Sequence, residues 1–246
     1  MANARGRWPW VLLGFVLILP AAIFGFQGLL AGKTSVPPRP TLTSPPTPAS
    51  TQMVDGFPAP ATYWQACFFE ATVCNPNDPT LPSPQSPLPA ALRRPIQLPA
   101  LQGGRCPITP ANNVNTGDFG GSALGAGPVR LLSSAIVDLD QLPSPLGWDS
   151  PNEMTIWFSE PQYQGPWIVR GHQLDGPNLV IFGNPPALTA SLVVPPIPTI
   201  NTDAGYRSVP TGILVHEPGC YALQIDGLTF SDHIVFEAVL AGKGHQ

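Results

Sequence analysis

The residues best suited to chemistry lie near the C-terminus, in the stretch HEPGC from His216 to Cys220. A histidine, a glutamate and a cysteine are close together there, and a second histidine follows at position 233. Two chemistries use such residues: a zinc site bound by imidazole and thiolate, or a thiolate nucleophile activated by a histidine base. The elements that hold these residues decide between chemistry and a structural role.

The spacing of these residues does not fit a zinc site. A zincin motif places two histidines four positions apart on one helix face. Here Cys220 stands where the second histidine would be, and Pro218 and Gly219 interrupt a helix at that point. A site made of His216, Cys220 and His233 would need a further ligand, and the sequence has no C-x-x-C pair to supply it. We therefore predict no metal and no cofactor.

The N-terminus indicates the compartment. Residues 8–31 carry no charge and are mostly apolar, which is long enough to cross a hydrocarbon core of about 30 Å. We predict a transmembrane helix or uncleaved signal anchor over 8–31, after a short cytoplasmic tail (1–7) that contains Arg5 and Arg7. The alternative is a cleaved signal, which would make the protein secreted, although Leu30-Ala31-Gly32 is a poor cleavage site. Either way the rest of the chain is expected outside the cytoplasm, at the cell surface or in the periplasm.

An oxidising compartment favours disulfides over a catalytic thiol. The chain has four cysteines, an even number, which allow three pairings. We predict a Cys106–Cys220 bridge that ties the start of the main domain to a late strand, and a Cys67–Cys74 bridge that closes a local loop.

Composition divides the remaining chain into segments. Of the 246 residues, 34 are proline and only 11 % are charged. Residues 32–60 are rich in Pro, Ser and Thr and predict a semi-rigid stalk. Residues 61–80 carry aromatic residues and two cysteines, and predict a short ordered segment with helical turns around 61–72. The prolines return over 81–105, as a second linker or an extended strap.

Residues 106–241 have the pattern of an all-β domain, followed by a tail (242–246). Turn residues separate eight apolar, β-branched runs, and such spacing predicts an antiparallel sandwich or barrel. We expect turns at 175–178 and 226–232, and a loop over the glycine-rich residues 115–128. The predicted strands are 128–139, 154–160, 166–171, 178–183, 187–194, 211–217, 220–227 and 232–240.

The end of this domain resembles a known architecture. EPGCYALQIDG followed by SDHIVFEAVL is similar to the last hairpin of bacterial immunoglobulin-like domains. The resemblance implies that Tyr221 is a corner tyrosine whose hydroxyl bonds to the backbone, and that Gly219 makes the turn into the strand. YQGPWIVRGHQLDGPNLVIFG together with PGCYALQIDG also resembles an uncharacterised group of exported, membrane-anchored bacterial proteins. The expected fold is an antiparallel immunoglobulin-like β-sandwich behind one transmembrane helix and a Pro-rich linker.

Other polar and aromatic clusters are weaker candidates. Arg170, His172 and Asp175 lie at a strand end, either as a hydrogen-bonded turn or as a polar surface patch for binding. Trp157 and Trp167 lie within apolar runs, which favours the core over a stacking surface. No pair of carboxylates has a spacing typical of a glycosidase.

Charge and site content leave three functional classes. A net charge of −4 with eleven scattered Lys and Arg residues argues against nucleic acid as a partner. We expect a membrane-tethered extracytoplasmic binding module for a protein or glycan partner, not an enzyme. The alternatives are an accessory or structural subunit of an envelope membrane complex and, with less support, a hydrolase of envelope polymers.

Overall fold

A computed structural model describes residues 52–54, 57–59, 61–63, 81–115, 120–141, 152–184, 187–196 and 203–240. All of them belong to the unit Pro46–Gln246. The predicted membrane segment, the two terminal tails and Cys67 and Cys74 lie outside the described residues. Within the described part of the chain, no helix has the length and apolarity needed to span a membrane.

The described residues form fourteen strands and no α-helix, with short 3-10 helices at Ala90–Arg93, Leu139–Gln141 and Asp203–Gly205. In chain order the strands are β1 (Gln52–Val54), β2 (Phe57–Ala59), β3 (Asn112–Asn115), β4 (Gly120–Leu124), β5 (Val129–Leu132), β6 (Ile136–Asp138), β7 (Asn152–Ser159), β8 (Trp167–Gln173), β9 (Ile181–Asn184), β10 (Ala187–Thr189), β11 (Leu192–Val194), β12 (Arg207–Leu214), β13 (Gly219–Gly227) and β14 (Ser231–Val239).

Two sheets pack face to face as a sandwich, beside a small β1–β2 hairpin. The larger sheet has the order β10-β9-β12-β7-β5-β4-β3, and the smaller has the order β11-β8-β13-β14-β6. Side chains of both sheets alternate into one core, as the period of two in a strand requires. The core includes Leu131, Trp157, Phe182 and Ile213 from the larger sheet and Trp167, Val169, Tyr221, Leu223, Ile225, Ile234 and Phe236 from the smaller.

The core prediction for the two tryptophans is confirmed. Trp157 and Trp167 are both fully buried, and their ring centroids lie 5.9 Å apart across the sandwich. Large aromatic rings of this kind contribute much of the buried apolar area of a small core. They therefore hold the two sheets together and offer no stacking surface to a ligand.

Two predicted single strands are instead pairs of strands that change sheets. The run 128–139 divides into β5 in the larger sheet and β6 in the smaller, and the run 187–194 divides into β10 and β11 in the same way. Small residues, Ser133–Ala135 and Ala190–Ser191, occupy the crossings. The predicted antiparallel pairing is confirmed for the other described strand pairs, whereas the edge strand β6 pairs with β14 in parallel.

The glycine-rich stretch 115–128 is only partly the predicted loop, since it contains β4. The glycines occupy the exposed first half of that strand, whereas Ala123 and Leu124 are fully buried. Leu124 belongs to the main core, so apolar burial at one end is sufficient to place the segment in the sheet.

Residues 81–105 follow the second of the two predicted alternatives, an extended strap. The strap crosses the outer face of the five-stranded sheet, the face turned away from the core. Leu88 and Leu92 pack with Tyr63, Ile168 and Val193 at one end. At the other end Leu98 and Leu101 pack against Cys220, Ala222 and Val235. Residues of β13 on this outer face are therefore as buried as those in the core.

Candidate functional site

The strap covers a buried ionic cluster centred on Asp226, near the end of β13. The Asp226 side chain is fully buried. Arg170 of β8 donates to its Oδ2 at 2.5 Å, and Gln224 donates to the same oxygen at 2.8 Å. Arg94 of the strap lies 3.5 Å from Oδ1. Because an isolated buried carboxylate is costly by several kcal/mol, these cations and the amide are what allow Asp226 to stay in the sheet.

Hydrogen bonds to the backbone fix the strap over this cluster. Arg94 donates to the carbonyl oxygens of Gly227 at 2.9 Å and Phe230 at 2.7 Å, which belong to the β13–β14 turn. Gln224 accepts from the amide of Gln97 at 2.5 Å and donates to the carbonyl of Pro95 at 3.1 Å. The Gln224 side chain thus pairs with the strap much as a neighbouring strand would.

A disulfide closes the far end of the strap and confirms the predicted Cys106–Cys220 pairing. The two cysteines are 114 residues apart in sequence, with Cα atoms 5.4 Å apart. Cys220 also donates its amide hydrogen to the Asp175 carboxylate, at 3.0 and 3.1 Å from the two oxygens. Since Cys220 is oxidised here, it cannot act as a nucleophile in this state.

A groove of about 390 Å³ lies beside the disulfide. One arginine, two carboxylates and both cysteines line it. Such a groove can take a polar partner that offers hydroxyl, amide or charged groups. The lining residues are Leu101, Gly104, Arg105, Cys106, Asp175, Cys220 and Glu237.

The tyrosine corner implied by the resemblance has its hydrogen bond in the structure. The Tyr221 hydroxyl donates to the carbonyl oxygen of Glu217 at 2.6 Å. Its ring stacks on Phe236, with centroids 5.5 Å apart. Burial raises the pKa of Tyr221 to about 12, against the smaller opposing effect of the Glu217 backbone amide, which donates to the hydroxyl oxygen.

Glycine is needed at position 219 because another side chain approaches its backbone closely. A Cβ atom there would collide with the side-chain amide of Gln173 and would lie 2.7 Å from Oδ1 of Asp175, the carboxylate that accepts from Cys220. A larger residue would therefore displace Asp175 and loosen the entry to β13 beside the disulfide. This close approach explains why position 219 holds a glycine, in addition to the turn that the resemblance implies.

The residues of HEPGC do not come together as a chemical site. His216 and Glu217 are exposed at the end of the β12–β13 connection, while Cys220 is buried on β13. His233 lies on β14 opposite Gln224. Across the described residues, no group of three His, Cys, Asp or Glu side chains could hold a metal ion.

The structure gives Arg170, His172 and Asp175 separate surroundings. Arg170 is held by Asp226, and Asp175 is held by the Cys220 amide. His172 lies on β8 opposite Ala222 of β13. Sequence reasoning missed the partners that matter most, Asp226 and Arg94. The only available signal was an aspartate at the outward position of an otherwise apolar strand.

Comparisons with known proteins add a weak likeness in fold. No protein-family model matches the chain, and no curated protein matches it. A crystal structure named "Putative Lipoprotein", from Bacillus anthracis, aligns with 54 % of this chain and 85 % of its own, at 11 % identity and a TM-score of 0.36. At this score the likeness supports no conclusion about function or location. The chain is therefore described by its fold, an all-β sandwich with one described disulfide.

Proposed function

We propose that the chain is a membrane-tethered, extracytoplasmic β-sandwich that acts as a binding module for a protein or glycan partner. The observation that carries the proposal is the Cys106–Cys220 disulfide, which closes the strap over the sheet. Structural disulfides form and persist in oxidising compartments and are rare in the cytosol. The uncharged segment 8–31 would supply the tether, or a cleaved signal would release the same domain.

We further infer that the sandwich is of the immunoglobulin-like type. In that architecture the third, sixth and seventh strands, C, F and G, share one sheet, and B and E share the other. The neighbours β8, β13 and β14 match the first set, and the neighbours β7 and β12 match the second. The Tyr221 bond to the Glu217 carbonyl supports this assignment, since it matches the corner tyrosine near the start of strand F.

The groove beside the disulfide is the proposed contact surface. The disulfide fixes one wall and the Asp175–Cys220 bond fixes another, so the groove needs little rearrangement to receive a partner. Such preorganisation reduces the entropy that binding would otherwise cost. Arg105 and Glu237 provide charges of both signs, which suits a polar protein surface or glycan hydroxyl groups.

The proposal can be tested by site-specific photo-crosslinking in intact cells of the native host. A photoreactive residue at Gln102, exposed at the edge of the groove, should give extracytoplasmic adducts, whereas the same residue at Pro210, exposed on the larger sheet, should not. Adducts of equal yield at both positions, or none at Gln102, would refute the groove as contact surface. Protection of the sandwich from protease added outside the cytoplasmic membrane would refute the location. Crosslinking confined to residues 61–72 would instead favour the accessory-subunit alternative.

A further inference from the structure

An arginine lies buried at one end of the sandwich interior without a described anionic partner. Arg207, the first residue of β12, is 1 % exposed. Its guanidinium donates to the carbonyl oxygens of Gly165 at 2.9 Å and Pro195 at 3.0 Å. Among the described residues no carboxylate forms an ion pair with it. Two neutral carbonyls only partly offset the cost of burying a full positive charge.

Four buried polar atoms close to this arginine have no hydrogen-bond partner. They are Nε of Arg207, Oγ of Ser159 and Nε1 of both Trp157 and Trp167. Buried polar groups are almost always paired, so four exceptions in one region call for a specific explanation.

Strand register places these four residues beside one another. Ser159 is the cross-strand partner of Arg207, and Trp157 is two residues earlier on the same face of β7. The Trp167 ring lies 5.9 Å from that of Trp157. Arg207 also reaches the carbonyl of Pro195, which follows the β11 residue paired with Trp167. The region therefore joins β7, β8 and β12 at one end of the core.

The chemistry of the unpaired atoms identifies what they can bind. Two are indole N–H groups and one is a guanidinium N–H, which only donate, and the serine hydroxyl can donate as well. Donors beside a cation that has no ion pair among the described residues suit an acceptor that carries negative charge. A water molecule would supply the acceptor but not the charge. Because all four side chains are almost wholly buried, the acceptor must be small.

We propose that this end of the sandwich binds a small monovalent anion of halide size, held by Arg207 and Ser159 with the two indoles as further donors. The anion links three strands from both sheets, so it stabilises the fold. Burial lowers the pKa of Arg207 to about 10, which is the direction expected for a guanidinium that lacks a described carboxylate. The proposed anion site lies inside the sandwich, so it does not depend on the proposed cellular location or partner of the protein.

The second cluster of unpaired buried atoms differs in charge. Nε of Arg170, Oδ1 of Asp226 and Nε2 of His233 also have no hydrogen-bond partner. There a carboxylate lies between two arginines, so each guanidinium has an anionic partner, which Arg207 lacks among the described residues. The contrast favours Arg207 as the place where an added anion binds.

The test uses the full chain in detergent, unfolded by heat in chloride or in gluconate at constant ionic strength. Chloride, but not the bulky gluconate, should raise the unfolding midpoint in a saturable way, by about 4 °C. Ser159→Ala should weaken this rise, and Arg207→Met should abolish it. The exposed Arg93→Met variant should behave as the wild type does.

A second measurement covers the case in which Arg207→Met does not fold. Wild-type crystals grown in bromide should show an anomalous peak in contact with Nε of Arg207 and Oγ of Ser159. Equal midpoints in chloride and gluconate, together with no bromide peak at this place, would overturn the proposal and assign water to the site. A chloride effect that survives in Arg207→Met would overturn it as well.

Discussion

The guanidinium of Arg94 lies 3.5 Å from the carboxylate of Asp226, joining the proline-rich strap to the middle of the five-stranded sheet. The same guanidinium donates to three carbonyl oxygens of the β13–β14 turn. Arg94 therefore compensates the buried charge of Asp226 and also provides hydrogen-bond donors for the carbonyl oxygens of the turn. The strap is held by directed polar contacts here and by a covalent bond at Cys106, so it is an integral layer of the domain.

Replacing Arg94 with alanine should destabilise the domain, because three backbone carbonyl groups lose their donor and the Asp226 carboxylate loses one of its two cations. We expect a loss of about 2 kcal/mol in the free energy of unfolding, kept modest because the Arg94 side chain is 34 % exposed. Urea unfolding followed by tryptophan fluorescence measures it. The adjacent Arg93→Ala is the matched control, since Arg93 is exposed, and it should change stability by less than about 0.5 kcal/mol. Similar losses in the two variants would contradict the role of Arg94.

Removing the Asp226 carboxylate should be more damaging. Asp226→Ala leaves Arg170 facing the strap without its counter-ion, and loss of one partner of a buried pair costs about 3–5 kcal/mol. The double variant Asp226→Leu with Arg170→Met removes both charges and should recover much of that loss. Denaturation midpoints of the single and double variants give the comparison. A double variant no more stable than Asp226→Ala would mean that charge balance is not what Asp226 provides.

Reduction of the disulfide should lower stability through the unfolded state. The bridge closes a loop across 114 positions, and cross-links of this span contribute roughly 2–5 kcal/mol. Unfolding of the wild type with and without a reducing agent measures the effect. In the Cys106→Ser, Cys220→Ser double variant the reducing agent should have no comparable effect. An equal effect in that variant would assign the loss to other cysteines.

The buried hydroxyl of Tyr221 predicts that the stability of the domain falls at alkaline pH. The folded-state pKa of Tyr221 is raised from 10.0 to about 12, so the unfolded chain releases its proton first as the pH rises. The contribution of Tyr221 to the free energy of unfolding is fully present below pH 10. It falls by roughly 2 kcal/mol between pH 10 and about 12. Tyr221→Phe should cost about 1 kcal/mol at neutral pH, because the Glu217 carbonyl loses its donor.

The comparison of pH profiles isolates that tyrosine. Stability of Tyr221→Phe should fall less than that of the wild type between pH 10 and 12. Buried Arg207, whose pKa is lowered, contributes with the opposite sign but equally in both proteins. Parallel profiles for wild type and Tyr221→Phe would contradict the buried hydroxyl assigned here.

The sequence was most informative where burial on one face imposes a period of two. The runs around Trp157, Trp167 and Tyr221 were predicted as strands because apolar residues alternate or cluster there between turn residues. The same pattern could not show that 128–139 and 187–194 change sheets, since a crossing needs only small residues and no break in apolar character. Sheet membership depends on distant strands that a local pattern does not include.

The polar contacts were the least predictable part. Arg94, Asp226 and Arg207 have no distinctive neighbours in sequence, and each acquires its role from residues far along the chain. Only Cys106 and Cys220 could be paired in advance, because an even number of cysteines and the expected oxidising compartment limit the choices. A proline-rich segment likewise does not reveal whether it is a free linker or a strap, since both avoid regular hydrogen bonding.

The most direct test of the account is peptide mapping of the protein isolated from its native host, with free thiols alkylated before denaturation. If the sandwich is extracytoplasmic and closed by this disulfide, a disulfide-linked pair of peptides containing Cys106 and Cys220 should be recovered from the extracytoplasmic or membrane fraction. Both cysteines found alkylated, in protein recovered from the cytoplasm, would contradict it.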